Sequence, residues 1–139
     1  MKVKLRKLHP NAVIPTYATD GDGAFDLTAT SKQGQVYGTG LAIEVPKGHV
    51  LYIYGRSGLA FKEDIRLANA VGIVDSGFRG EIKVKLTYDG QPYNAPYWPS
   101  VGDRIAQGII LKVPHIEFEE VEELSDTQRG VNGFGSSGK

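Results

Sequence analysis

The sequence predicts an all-β protein, a sandwich or a barrel. Two observations carry this. Many short runs alternate apolar and polar residues, the period of a half-buried strand. Between them stand 18 Gly and 7 Pro, residues that turn a chain and interrupt helices. At 139 residues the chain reads as one domain with room for a real core. Formal net charge is zero, so neither a nucleic-acid nor a membrane-surface partner is expected. The absence of Cys removes disulfides and thiolate zinc sites and fits a cytoplasmic setting. His9, His49 and His115 are scattered, without ligand spacing. No apolar run approaches membrane-spanning length, and no h-region follows Met1-Lys2-Val3-Lys4.

Val3 to Leu8 reads as a first strand, and His9 to Thr19 as a loop with two prolines. Asp20-Gly21-Asp22-Gly23-Ala24 is a turn-rich entry to a strand at Phe25-Asp26-Leu27-Thr28-Ala29. Asp26 lies between apolar neighbours, so in a strand it faces the opposite side from them. Alone, it would be an exposed strand or cap aspartate. Strands follow at Gln35 to Tyr37, Thr39 to Pro46 and His49 to Tyr54. In Gly55-Arg56-Ser57-Gly58-Leu59-Ala60, strand gives way to a Ser able to cap a short helical turn. The first N–H groups of such a turn favour an anion, and the Arg56 fork suits two phosphate oxygens. Any strand-to-turn junction has a similar composition.

The centre of the chain is Gly72-Ile73-Val74-Asp75-Ser76-Gly77-Phe78-Arg79-Gly80-Glu81. It reads as a hairpin: a strand, a turn at Asp75-Ser76-Gly77 with Gly77 free for positive φ, then an alternating strand at Ile82 to Leu86. A carboxylate at the lip of a hairpin can face a pocket, as can the ring of Phe78. Taken singly, Asp75 is a turn former and Phe78 a core residue. Asn69, just before, is a turn residue that also has the donor and acceptor needed to read a base.

Tyr88 to Ser100 is a surface loop in which Trp98 serves packing. After a turn at Val101 to Arg104, Ile105 to Val113 is a near-continuous apolar strand, expected to be buried on both faces. Gln107 within it needs a partner, backbone or ligand. Asp103 beside Arg104 is most simply a surface pair. Ile116 to Val121 reads as a last strand. The tail, Arg129 to Lys139, reads by composition as a linker, yet its Gly and Ser residues can form an N–H nest for phosphate. Arg129 and Phe134 are odd choices for a bare linker.

Together these stretches resemble the five motifs of trimeric deoxyuridine triphosphate nucleotidohydrolases (dUTPases), in family order. Gly23 to Ala29, Gly55 to Ala60, Asn69 to Glu81, Gly102 to Gln107 and Arg129 to Gly138 carry the resemblance, which covers nearly the whole chain. It implies a distorted jelly-roll β-barrel over about residues 1–124 and a flexible Gly/Ser-rich C-terminal arm over about 125–139. It also implies a homotrimer with shared active sites that cleaves dUTP to dUMP and pyrophosphate with Mg²⁺. Such an enzyme limits uracil in DNA and supplies dUMP for dTMP synthesis. It would work in the cytoplasm, a host's if virus- or phage-encoded.

By resemblance, Asp75 activates the attacking water at the α-phosphate and contacts the sugar. Phe78 lies under the deoxyribose. Asn69 and the backbone at Val71, Gly72 and Ile73 read uracil. Arg56, Ser57, Gly58 and Gln107 hold the phosphates, Asp103 fixes Arg56, and Asp26 stands near the metal through water. No direct protein ligand to the metal is implied, since the substrate phosphates hold it. Arg129, Gly135, Ser136 and Ser137 grip phosphate, and Phe134 caps the uracil as the arm closes over a neighbour's site. Departures from the usual pattern are Phe78 for Tyr, Gly77 for Asp, Ala24 for Gly, Gly108 for Leu and Asn132 for Gly. Two rivals stand beside this reading. A dCTP deaminase shares the fold but places an essential glutamate on the strand after the hairpin, where Lys83 and Lys85 are the polar residues here. A non-catalytic jelly-roll binding module would have a dispensable tail.

Overall fold

The computed structural model describes residues 1–89 and 97–134. In chain order the elements are β1 (Lys4–Lys7), β2 (Phe25–Thr28), β3 (Ser31–Gln33), β4 (Val36–Gly38), β5 (Leu41–Glu44), β6 (His49–Tyr54), α1 (Ser57–Glu63), β7 (Ile65–Leu67), β8 (Val71–Val74), β9 (Lys83–Tyr88) and β10 (Arg104–Lys112). They form two four-stranded sheets, β2-β10-β6-β8 and β3-β4-β9-β7, and a two-stranded sheet, β1-β5. The strand pairs are antiparallel. Among the described residues the sheets share no strand, so the architecture is layered, without a closed barrel. Among the described residues no helix is long and apolar enough to cross a membrane.

The core lies between the sheets, where alternation sends one residue in two inward. Leu51 and Ile53 of β6 and Val84 and Leu86 of β9 come from opposite sheets, and Leu27, Ile65, Leu67 and Ile105 fill in around them. Tyr37 is fully buried, and its hydroxyl donates to the Pro99 carbonyl at 2.8 Å. That bond anchors the chain at Pro99 and spares a buried phenol its desolvation penalty; most of the surface loop expected from Tyr88 to Ser100 lies outside the described residues. Trp98 packs against the core, as expected. Gly108 pairs with Phe25 across the β2–β10 ladder. A Cβ there would come within 2.5 Å of the Phe25 ring, which accounts for the glycine.

Four expectations are corrected. The central stretch is not a hairpin: β8 pairs with β6, whereas β9 pairs with β4 and β7. The segment from Asp75 to Ile82 therefore crosses from one sheet to the other. Gly77 is not left-handed, and the turn is closed by the Phe78 N–H donating to the Asp75 carbonyl at 3.1 Å. Second, Ile116 to Val121 forms no strand. Phe118 is 90% exposed, and the segment joins no ladder among the described residues. Third, β10 is central in its sheet but buried only in its first half, and Leu111 is exposed. Fourth, Ser57 does not cap the helix. The N-cap is Arg56, in extended conformation, without a side-chain cap bond. The short polar β3 and the three-residue β7 carry too little pattern to be read from sequence.

Candidate active site

The register of one sheet lines up the first, third and fourth motifs and the strand leading into the second. Asp26 of β2 pairs with Gln107 of β10, Gln107 pairs with Tyr54 of β6, and Tyr54 pairs with Val71 of β8. Cross-strand partners project to the same face, so these four form a row on the outer side. A β-bulge adds a member. Arg104 pairs with Thr28 but Ala106 with Leu27, so Ile105 is an extra residue in β10. In a regular strand Arg104 and Gln107, three apart, would face opposite sides. The bulge resets the alternation, burying Ile105 and Ala106 together and turning Arg104 to the face of Gln107 and Asp26.

On that face lies a cleft of about 300 Å³ lined by Asp22, Asp26, Arg56, Ser57, Arg104 and Gln107 among others, with Gly58 at its wall. The Asp26 carboxylate binds two guanidinia: Arg56 Nε donates to Oδ1 at 3.0 Å and Arg104 Nη1 to Oδ2 at 2.9 Å. Arg56 Nη1 also donates to the Arg104 carbonyl at 3.2 Å. Gln107 Nε2 donates to the Gly55 carbonyl at 2.8 Å, so the partner its burial demands is backbone. Ser57 and Gly58 open α1, where the first N–H groups have no intrahelical acceptor. Asp22 faces Thr19, whose hydroxyl and N–H hold its carboxyl below the usual carboxylate range. The lining carries two carboxylates against two guanidinia.

The residues expected at the sugar and base lie elsewhere on the chain. Ile73, Asp75, Phe78 and Glu81 line a second cavity of about 250 Å³. Asn69 and Gly72 line a third of about 310 Å³, which shares only Lys83 with the second. Neither shares a residue with the Arg56 cleft. Asp75 is exposed at the end of β8. Arg79 staples its loop, its Nη1 donating to the carbonyls of Ser76 and Phe78 at 2.8 Å each. Glu81 accepts from the Gly40 N–H at 2.9 Å and pairs with Lys83. Ala70, between Asn69 and Val71, holds a left-handed φ of 61°.

Asp103 does not fix Arg56; Asp26 does. The Asp103 carboxylate accepts from the Ser100 N–H at 2.8 Å and the Tyr97 hydroxyl at 2.9 Å. These bonds, Ser100 first, pull its carboxyl below the usual range, and the phenol of Tyr97 is raised chiefly by the same bond. Arg104 likewise pairs with Asp26 rather than with its neighbour Asp103. In the arm, Arg129 is exposed, with Nε donating to the Asn132 carbonyl at 2.8 Å, and Phe134 is fully exposed. Neither lines any of the three cavities. Gly135, Ser136 and Ser137 lie outside the described residues. The residues that sequence reasoning missed are Arg104 and Asp22. For Arg104 the signal was its place in the fourth motif, obscured by the bulge.

Comparison with known proteins identifies the family and the fold. The sequence profile described as dUTPase matches residues 10–138. The chain is 45% identical to the deoxyuridine 5'-triphosphate nucleotidohydrolase of Wolinella succinogenes, covering 100% of this chain and 95% of that one. It is 46% identical to the Nautilia profundicola protein of the same name, covering both chains completely. Among solved structures, a dUTPase variant of Staphylococcus bacteriophage 80alpha with dUpNHpp superposes with a TM-score of 0.85 at 24% identity, covering 99% of each chain. That likeness establishes the jelly-roll fold, and the family match spans far more than half the sequence. The chain belongs to the dUTPase family.

Proposed function

We propose that this dUTPase-family enzyme, a dUTP diphosphatase, cleaves dUTP to dUMP and pyrophosphate by attack of an Asp75-activated water on the α-phosphate. The observation that carries the reading is the Asp26 carboxylate holding Arg56 and Arg104 side by side at the mouth of a polar cleft. Two oriented guanidinia, the Gln107 amide and the open N–H groups at Ser57 and Gly58 make a donor set suited to phosphate oxygens. Phosphoryl transfer needs placement and charge neutralisation more than protein covalency, and this set supplies placement.

Neutralisation is the harder requirement. The cleft balances its own charges, whereas a triphosphate brings several negative ones. Among the described residues no three carboxylate or imidazole side chains gather as a metal cage. Both Asp26 oxygens already accept from guanidinia, leaving room for a water-mediated contact at most. This donor set fits Mg²⁺ carried by the substrate phosphates, with Asp26 reaching it through water. Bound there, the ion would offset phosphate charge and favour departure of pyrophosphate.

The separation of the Asp75 cavity from the Arg56 cleft supports a homotrimer in which one subunit supplies the base and another the phosphate grip. In this reading Asp75 takes a proton from water as the oxygen bonds the α-phosphorus, and the bond to the bridging oxygen of pyrophosphate breaks. Asn69 and the backbone at Val71 to Ile73 read uracil, and Phe78 supports the deoxyribose. The arm brings Arg129, Phe134 and the Gly135 to Ser137 nest over a neighbour's nucleotide and excludes bulk water. The cytoplasmic consequence is less uracil in DNA and more dUMP for dTMP synthesis. Deamination fits less well: β9 carries Lys83, Lys85 and Thr87 as its polar side chains before Tyr88, and Glu81, just before it, is already engaged.

The deciding experiment incubates the protein with Mg²⁺ and dUTP or dCTP and assays pyrophosphate and ammonia. Pyrophosphate from dUTP alone is expected. Ammonia from dCTP would establish the deaminase, and neither product would leave a binding module.

A further inference from the structure

We propose that Gly80 sets how deeply the Phe78 ring sits and thereby the enzyme's preference for deoxyribose over ribose, an inference that rests on the dUTP reading above. The ring folds back over the α-carbon two residues on. A Cβ at position 80 would lie 2.6 Å from Phe78 Cζ, 3.0 Å from Cε2 and 3.4 Å from Cε1. The first of these is closer than packed carbon atoms come. Gly80 is not left-handed, so its backbone conformation makes no demand for glycine. At Gly77, in the same loop, a Cβ would meet nothing within 4 Å. The requirement at position 80 is the ring.

Phenylalanine has no polar atom with which to fix its ring. Its position depends on what it rests against. The backbone around it is held independently, by the Arg79 guanidinium on the carbonyls of Ser76 and Phe78 and by the Phe78 N–H on the Asp75 carbonyl. Phe78 is 44% exposed and borders the cavity that Asp75 also lines. An added methyl at position 80 would therefore displace the ring, the part free to swing, and leave the loop and fold in place. A displaced ring no longer supports the sugar at the same height, and its edge no longer closes the space beside C2′. Gly80 acts through Phe78 and is a positioning residue.

The test compares wild type, Gly80→Ala, Phe78→Ala and the double variant, with dUTP and UTP as substrates and Mg²⁺ present. For Gly80→Ala, KM for dUTP should rise about tenfold with kcat changed much less, and the preference for dUTP over UTP should narrow by about tenfold, the scale of one misplaced carbon at a specificity contact. In the Phe78→Ala background the same change should have almost no further effect on that preference, because there is no ring to move. Wild-type selectivity in Gly80→Ala overturns the inference. So does an equal loss with and without the Phe78 ring, which would point to backbone damage. A wild-type protein that releases no pyrophosphate from dUTP would instead overturn the functional reading and the inference with it.

Discussion

Asp26 and Arg56 are thirty positions apart in the chain and meet at 3.0 Å, Oδ1 to Nε, with Arg104 on the other carboxylate oxygen. One acid thus aligns two guanidinia at the cleft. Asp26→Asn keeps the shape and removes the charge. We expect kcat/KM for dUTP to fall about tenfold, the scale of a weakened charge-assisted hydrogen bond. Melting temperature should change little, since the pair is partly solvated. Unchanged kcat/KM would show that the guanidinia need no such alignment.

Asp75→Asn removes the proposed base and leaves the cleft around Arg56 intact. We expect kcat to fall about 10²- to 10⁴-fold, the usual contribution of general-base catalysis. Affinity for a non-hydrolysable dUTP analogue, measured by calorimetry, should stay near that of wild type. Normal turnover would assign the base elsewhere.

Removal of residues 129–139 should leave melting temperature unchanged. Arg129, Val131 and Phe134 are exposed, and none of them belongs to the core. Turnover of dUTP should nevertheless collapse in a single-turnover assay, because the phosphate and base contacts proposed for the arm would be lost. Full activity after truncation would make the arm a linker.

Asp103 gives a pH signature. Its carboxyl is lowered in the folded protein by Ser100 and Tyr97. The folded form therefore binds this proton less readily than the unfolded chain does. The resulting stability is present above the ordinary carboxylate range and is lost as pH falls through the lowered value. Thermal melts of wild type and Asp103→Asn should differ at pH 6, and the difference should shrink as pH falls through the lowered Asp103 value. A difference that grows on acidification would contradict this assignment.

The fold class and most strands were legible because alternation and turn residues are local signals. His49 to Tyr54 was read to the residue. Pairing was less legible. Val71–Val74 and Lys83–Tyr88 are adjacent in sequence with a turn-forming Asp-Ser-Gly between them, yet they join different sheets, a choice made by tertiary contacts. Ile116 to Val121 has a strand's pattern without a strand's partner. In the site, the gathering of Asp26, Arg56, Ser57, Gly58 and Gln107 followed the motif order. The Asp26–Arg56 pair was mistaken for Asp103–Arg56 because sequence spacing carries no information about which carboxylate a neighbouring strand presents.

The extra residue at Ile105 means that the facing of Arg104 is decided by pairing and not by composition. If β10 zipped against β2 without the bulge, every residue would be kept and a hydropathy plot would not change. A guanidinium would nevertheless turn toward the apolar interior and away from the cleft. The charge of the cleft is thus written partly in the shape of a strand edge.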